Sequence, residues 1–422
     1  MAPPPLAAEA RDVTCPFCGL LCDDLVVSPA NGRLAVQANG CSISTAAFAH
    51  QAGTELEQPR VRGRAASLEQ AVQEAAVLLR QARQPLFAGL GTDVAGARAA
   101  ARLAERLGGV LDHMNAAAAI RNTLALQDRG WITTTLSEIR NRVDLLIVIG
   151  DVTRRFPRFL ERCLVRERMF EAAEPVEVVF LGPAPPEGAG AVSGLVPRAI
   201  PCEVRRLPEA LGVLRALVAG RRLEVGSVAG VPLATWRELA QRLRRARYGV
   251  VAWAAADLDF PHADLAVQAL SELVKDLNRT TRFAGLPLGG SDGDVTVDAV
   301  HLWQTGFAAR TSYARGYPEY DPWCFAAERL LASGEADVLV WISSFDERRG
   351  PPAAPVPAIV LGRPGMRFAE EPAVVIPVGT PGVDHAGHLF RTDRVVALPL
   401  RSLRDSALPG VAQVLDAIER AL

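Results

Sequence analysis

Two stretches constrain the fold more than any others. Arg142-Val143-Asp144-Leu145-Leu146-Ile147-Val148-Ile149 and Glu335-Ala336-Asp337-Val338-Leu339-Val340-Trp341-Ile342 echo each other in the two halves of the chain. Each is an apolar run of strand length set behind an aspartate. A strand with no polar face is buried on both sides, as in a parallel sheet covered by helices. The surrounding pattern agrees. Strand-length apolar runs at 86–90, 110–111, 176–181, 249–253, 282–286, 358–361 and 373–378 alternate with helical periodicity at 93–107, 208–218, 234–245, 264–277 and 322–332. A further helix opens at Ser67, where Gln70 completes a capping box and Val72, Ala75 and Leu79 mark one apolar face. This predicts an α/β chain with two Rossmann-like parallel-sheet units, each offering ligand sites at the carboxyl ends of its strands.

At 422 residues the chain is too long for one core, and two or three domains are expected. No apolar run approaches the roughly 18 residues of a membrane span. The start, Met1-Ala2-Pro3-Pro4-Pro5, lacks a basic region followed by an apolar one, so a cytoplasmic chain is expected. A net charge of −1 gives no footprint for nucleic acid or a membrane surface. Lys275 is the only lysine among 46 basic residues, and the run Arg242, Arg244, Arg245, Arg247 reads as a solvated helix face.

The chemistry concentrates near the N-terminus. Cys15, Cys18, Cys22 and Cys41 are four of the seven cysteines, spaced C-x2-C-x3-C-x18-C with Pro16 and Gly19 favouring a tight turn between them. Such a set fits a four-thiolate metal site, either a [4Fe-4S] cluster or a structural Zn2+, and spacing alone does not separate the two. Buried free thiols or two disulfides are the competing reading. Cys163, Cys202 and Cys324 stand apart and are expected to be core thiols. The domain organisation expected from these patterns is a disordered tail (1–11), a four-cysteine metal-binding module (12–60), a first α/β unit (61–205), a second (206–400) with an irregular insert at 286–322, and a C-terminal helix (401–422). The Pro- and Gly-rich stretch 182–201 is expected to be a long loop.

Four separated stretches then carry a resemblance: Thr14-Cys15-Pro16-Phe17-Cys18-Gly19-Leu20-Leu21-Cys22-Asp23-Asp24, Glu138-Ile139-Arg140-Asn141-Arg142-Val143-Asp144, Val300-His301-Leu302-Trp303-Gln304-Thr305-Gly306-Phe307 and Gly316-Tyr317-Pro318-Glu319-Tyr320-Asp321-Pro322. Together they resemble the B subunits of formylmethanofuran dehydrogenases, a molybdopterin/tungstopterin oxidoreductase-like family. The resemblance implies that fold without the C-terminal β-barrel. The family's metal-ligating cysteine and its histidine neighbour fall, by spacing, on Ala118 and Ala119. Its Arg-Gly-His-x-Asn stretch falls on Gly289-Gly290-Ser291-Asp292-Gly293, its His-Pro-Arg-His on Phe156-Pro157-Arg158-Phe159, and an Asp-Pro-Arg that holds pterin on Gly182-Pro183-Ala184. Alanine neither binds a metal nor moves a proton.

These departures imply a vacated pterin and metal site near Ala118, Ala119, Gly289, Ser291 and Gly293, with no tungstopterin or molybdopterin expected and no catalytic residue. The relative lacking redox chemistry is the B subunit of the formyltransferase/hydrolase complex of methylotrophs. Similarity to it implies a non-catalytic scaffold partnered by the A, C and D subunits of that complex, the first amidohydrolase-like and the last a formyltransferase. Two alternatives stand beside it: an active dehydrogenase with an unusual metal ligand, such as a hydroxide, Asp112 or Asp292, and a single-cluster electron-transfer protein. His385 and His388 have ligand-like spacing, although a loop contact is expected there. Trp303, Tyr317 and Tyr320 are expected to pack, and His50, His113, His262 and His301 show no convergent spacing.

Overall fold

The computed structural model describes residues 9–30, 33–50, 58–164, 176–182 and 195–422. Most of the expected tail, the tip of the turn at 31–32, and Pro183 and Ala184 lie outside these residues. The described chain forms two compact units: one from the chain up to Ala116 together with Gly290–Leu422, the other from Ala117–Gly289. Both are α/β.

In the first unit a nine-stranded sheet runs in the order Glu319–Tyr320, Thr311–Ser312, Val110–Leu111, Pro85–Gly91, Val338–Ser343, Ala358–Gly362, Val374–Pro377, Arg60–Val61, Arg64–Ala65. The five middle strands are parallel, with Val338 opposite Pro85, Leu339 opposite Ala358 and Ile359 opposite Val374. The outer pairs are antiparallel. Every residue of Pro85–Gly91 and of Val338–Ser343 is buried, as unbroken apolar runs require. One face of the sheet carries a core shared with the helices Leu68–Gln81, Val94–Leu107 and Val411–Ala421; the other packs Leu86, Ala88, Leu339 and Trp341 against Leu330 and Leu331 of Ala327–Ala332. The capping box of Ser67 and Gln70 is present, and Gly108 ends Val94–Leu107 in the left-handed conformation. A small antiparallel sheet, Ala10–Val13, Leu25–Ala30 and Arg33–Ala38, precedes the short helix Ser42–Phe48.

The second unit is a fully parallel five-stranded sheet in the order Leu195–Ile200, Val176–Leu181, Leu145–Ile149, Tyr248–Ala254, Arg282–Leu288. Leu207–Val218, Leu233–Arg245 and Ala263–Leu277 build its core around the fully buried Trp236 and Trp253. Arg242 pairs with Glu177 and Glu238, and Arg244, Arg245 and Arg247 are exposed, in keeping with a solvated helix end.

The echoed stretches occupy equivalent places. Asp144, before Leu145–Ile149, accepts the backbone N–H groups of Arg247 and Tyr248 at 2.7 and 3.0 Å. Asp337, before Val338–Ser343, accepts those of Arg83 and Gln84 at 2.7 and 3.1 Å. In both units the aspartate fastens the start of the neighbouring strand.

The structure differs from the sequence reading in four places. Strand pairing does not follow a division at 205/206, because Val338–Ser343 lies beside Pro85–Gly91 in one sheet. The insert at 286–322 contains the helix Asp294–Thr305, and the expected loop at 182–201 contains the strand Leu195–Ile200. The helix Ala116–Arg129 is also absent from the sequence reading; its alanine run gives no contrast between faces.

Candidate functional site

The cysteine loop is a tight turn. Cys15 N–H donates to the Cys22 carbonyl at 2.8 Å and Leu21 N–H to the Cys18 carbonyl at 3.2 Å. Cys15, Cys18 and Cys22 are buried, and Cys41 caps Ser42–Phe48, its Sγ accepting from Ser44 N–H at 3.5 Å. All seven cysteines are free, so the disulfide reading fails. Burial lifts the Cys15 thiol, and the neighbouring Cys18, Cys22 and Cys41 add to the rise; burial pushes Cys18 up to about 12, with Cys22 and Cys41 adding to it. Cys18, Cys22 and Cys41 therefore lie within electrostatic range of Cys15. A bound cation supplies the charge that ionises such a set, and four thiolates fit a [4Fe-4S] cluster or zinc by chemistry. As placed, among the described residues, no group of three or more His, Cys, Asp or Glu side chains closes a metal-binding geometry. Of the other cysteines, Cys163 and Cys202 are core thiols as expected, whereas Cys324 is exposed. The correction follows from the turn at Asp321, whose carboxylate accepts the N–H of Trp323 and Cys324.

Later parts of the first unit hold this loop in place. Phe17 meets Phe48 edge-on at 5.0 Å and lies under the Arg363 guanidinium at 5.5 Å. Leu21 packs with Phe345, Leu389 and Leu400, and Thr392 N–H donates to the Gly19 carbonyl at 2.8 Å. Gly290, at φ +98°, lies so close that a Cβ there would sit 2.5 Å from Gly19 Cα.

From Gly290 a polar network runs inward, and the sequence reading missed it. Gly290 N–H donates to Asp294 Oδ1 at 2.6 Å, and Asn115 Nδ2 donates to Asp294 Oδ2 at 3.0 Å. Asn115 N–H donates to His113 Nδ1 at 3.2 Å. A backbone N–H only donates, so Nδ1 is the acceptor, and the His113 proton sits on Nε2, 3.3 Å from Asp298 Oδ1. Asp298 also faces Ala309 N–H and Arg394. The His113 proton and these groups hold its carboxyl well below the usual range despite burial. His301 is 1% exposed and burial pushes it down to about 4, so the imidazole is neutral. Asp112 is a strand-end residue with both oxygens engaged: His113 N–H and Ala327 N–H donate to it at 2.9 and 2.8 Å, and Arg310 stands 3.5 Å away. Asp292 faces Arg349 at 3.6 Å. Asp294, Asp298 and His301 follow i, i+4, i+7 spacing, one stripe of a helix, and that was the signal available in the sequence.

His113 also lines a cavity of about 570 Å3, together with Leu331, Trp341, Arg348, Arg349 and Pro352. Ala118 and Ala119 lie on the helix Ala116–Arg129, and Phe156 and Phe159 are buried in the second unit's interior. Gly293 leaves no room for a side chain, since a Cβ would meet the Thr92 carbonyl at 2.5 Å. His385 contacts the carbonyls of Ala386 and Gly379, the expected loop role, and His388 is exposed. Tyr320 stacks on Phe307 at 5.7 Å and Trp303 meets Phe390 at 5.8 Å, as expected of packing residues, although Trp303 stays 52% exposed and Tyr317 is 53% exposed.

Fold and site define a two-unit α/β protein with an N-terminal cysteine loop fastened to its first unit. No protein-family model matches the chain. It is 32% identical over 343 residues to the B subunit of the formyltransferase/hydrolase complex Fhc of Methylorubrum extorquens, covering 80% of this chain and 89% of the relative. It is 28% identical over 412 residues to the B subunit of the tungsten-containing formylmethanofuran dehydrogenase 2 of Methanocaldococcus jannaschii, covering 94% of each. It also matches a chain in the crystal structure of the formyltransferase/hydrolase complex FhcABCD from Methylorubrum extorquens with methylofuran, at a TM-score of 0.71 and 30% identity over 86% of this chain and 98% of that one. The chain belongs to the B-subunit family of formylmethanofuran dehydrogenases, which embraces the Fhc relative. Among the described residues no helix is long and apolar enough to cross a membrane.

Proposed function

We propose that this chain is the B subunit, a non-catalytic scaffold, of a formyltransferase/hydrolase complex, which transfers a formyl group from tetrahydromethanopterin to a methanofuran-type carrier and hydrolyses it to formate. Its partners are the A, C and D subunits of that complex, the first amidohydrolase-like and the last a formyltransferase. Ala118 and Ala119 carry the reading: by spacing they fall at the positions of the family's metal-ligating cysteine and its histidine neighbour, and alanine can neither bind tungsten or molybdenum nor move a proton. The crowding of Gly293 against Thr92 supports it, since the position that by spacing carries an asparagine in the family leaves no room for a side chain here. Net hydrolysis needs no electron outlet. The four cysteines then serve structure, holding a [4Fe-4S] cluster or zinc that steadies a module too small for a core of its own.

The identity shared with the tungsten enzyme's subunit over nearly the whole chain favours a second reading, an active dehydrogenase with an unusual metal ligand. The engagement of both Asp112 oxygens and the pairing of Asp292 with Arg349 weigh against it. The test is Cys18→Ser in the assembled complex. The scaffold reading expects lower thermal stability and weaker co-purification of the other subunits, with formyl transfer per surviving complex nearly unchanged. Intact complexes that have lost turnover contradict it.

A further inference from the structure

One segment of the first unit carries apolar side chains that the described residues leave exposed. Twelve large apolar side chains are exposed among the described residues, and five of them, Leu302, Trp303, Phe307, Tyr317 and Trp323, fall between 302 and 323. Every aromatic residue of the twelve is in this group. Trp303 and Trp323 are 52% and 64% exposed. The surface starts at the last turn of Asp294–Thr305, where Trp303 leans on Phe390 at 5.8 Å. Two residues beyond that helix, Phe307 stacks on Tyr320 of the edge strand Glu319–Tyr320 of the nine-stranded sheet.

We infer that this aromatic ridge is the docking face for another protein chain of the complex, one that presents an apolar surface poor in charge. The inference rests on the functional reading above. Two features of the ridge select that occupant. The charges along the segment are already matched: Arg315 pairs with Glu319 at 3.4 Å, Asp321 accepts two backbone N–H groups, and Arg310 is buried beside Asp112 and Glu328. No charge is left over to recruit an acidic or basic partner, so burial of apolar area drives the association. Half-exposed aromatics of this size offer on the order of 500 Å2, more than scattered surface side chains and a large part of one side of a standard interface of about 800 Å2 per partner. Tryptophan and tyrosine are also the residue types that dominate interface energetics. The relative matched over 98% of its length was crystallised as one of four different subunits, which favours a different chain over a second copy of this one.

The experiment compares the wild-type complex with one carrying Trp303→Gln and Trp323→Ser together. Both side chains are half or more exposed, so the isolated variant is expected to melt within a few degrees of wild type. The expected result is at least a tenfold loss of affinity for one partner subunit, seen as substoichiometric co-purification. Amide exchange in 302–323 is expected to slow when wild-type chain enters the complex, which reads the same face without mutation. Full-stoichiometry assembly of a folded variant, or slowed exchange elsewhere with none at 302–323, overturns the inference while leaving the functional reading intact. A concentration-dependent dimer of the isolated chain that the two substitutions abolish overturns it in favour of a second copy. A wild-type chain that assembles with no partner of another kind defeats the functional reading first and this face with it.

Discussion

Asp144 and Asp337 show what the echoed stretches encode. Each aspartate accepts two backbone N–H groups at the start of the next strand, so the repeat reflects a fastening used once per sheet. Asp337→Ala leaves two donors unpaired and is expected to cost about 1–3 kcal/mol in denaturant unfolding; unchanged stability would show the contact to be incidental. Asp292 carries a pH dependence. Burial lifts its carboxyl to about 6, with Asp294 and Asp346 adding to the rise and Arg349 opposing it. A folded-state value above the unfolded one of roughly 3.9 means that the folded protein holds this proton more tightly, so its stabilising effect is complete below about pH 4 and is lost as pH rises through about 6. Asp292→Asn is therefore expected to flatten the stability profile between about pH 4 and 6 by on the order of 2 kcal/mol. A profile identical to wild type by thermal melting across that range contradicts this. At this scale the sequence showed the cysteine set by spacing but not the His113–Asp298 pair, whose members come from segments far apart in the chain and carry no local motif.

Among the elements, those with strong apolar periodicity were legible and those built from alanine or β-branched residues were not. Asp294–Thr305 contains Val295, Thr296, Val297 and Val300, residues of modest helix propensity, and it forms because its apolar face is buried. Ala116–Arg129 opens on an alanine run with good propensity but no pattern. The turn before Asp294–Thr305 depends on one residue. Gly290→Ala adds a Cβ at positive φ against the backbone of Gly19, where neither side can yield. The expected result is a loss of about 2 kcal/mol or more, together with faster reaction of Cys18 with a thiol reagent as the cysteine loop is pushed outward. Wild-type stability and thiol reactivity in Gly290→Ala would place the two loops further apart than described.

For the whole molecule, the α/β class was legible because both sheets use strands with no polar face. The order of assembly was not. The first unit closes only when Val338–Ser343 enters beside Pro85–Gly91, and alternating strand and helix patterns look the same whether units follow one another or one is inserted in the other. Family membership supplies the context in which Ala118 and Ala119 acquire meaning, since alanines on a helix signify nothing alone. The central claim is that a redox scaffold has been kept without its redox metal. Its most direct test is quantification of tungsten, molybdenum, iron and zinc per chain, with a visible spectrum, on the complex purified without oxygen. The account predicts tungsten and molybdenum both absent, with about four iron and a broad visible absorbance, or about one zinc and no colour, on Cys15, Cys18, Cys22 and Cys41. Tungsten or molybdenum near one per chain would contradict it and restore a redox enzyme.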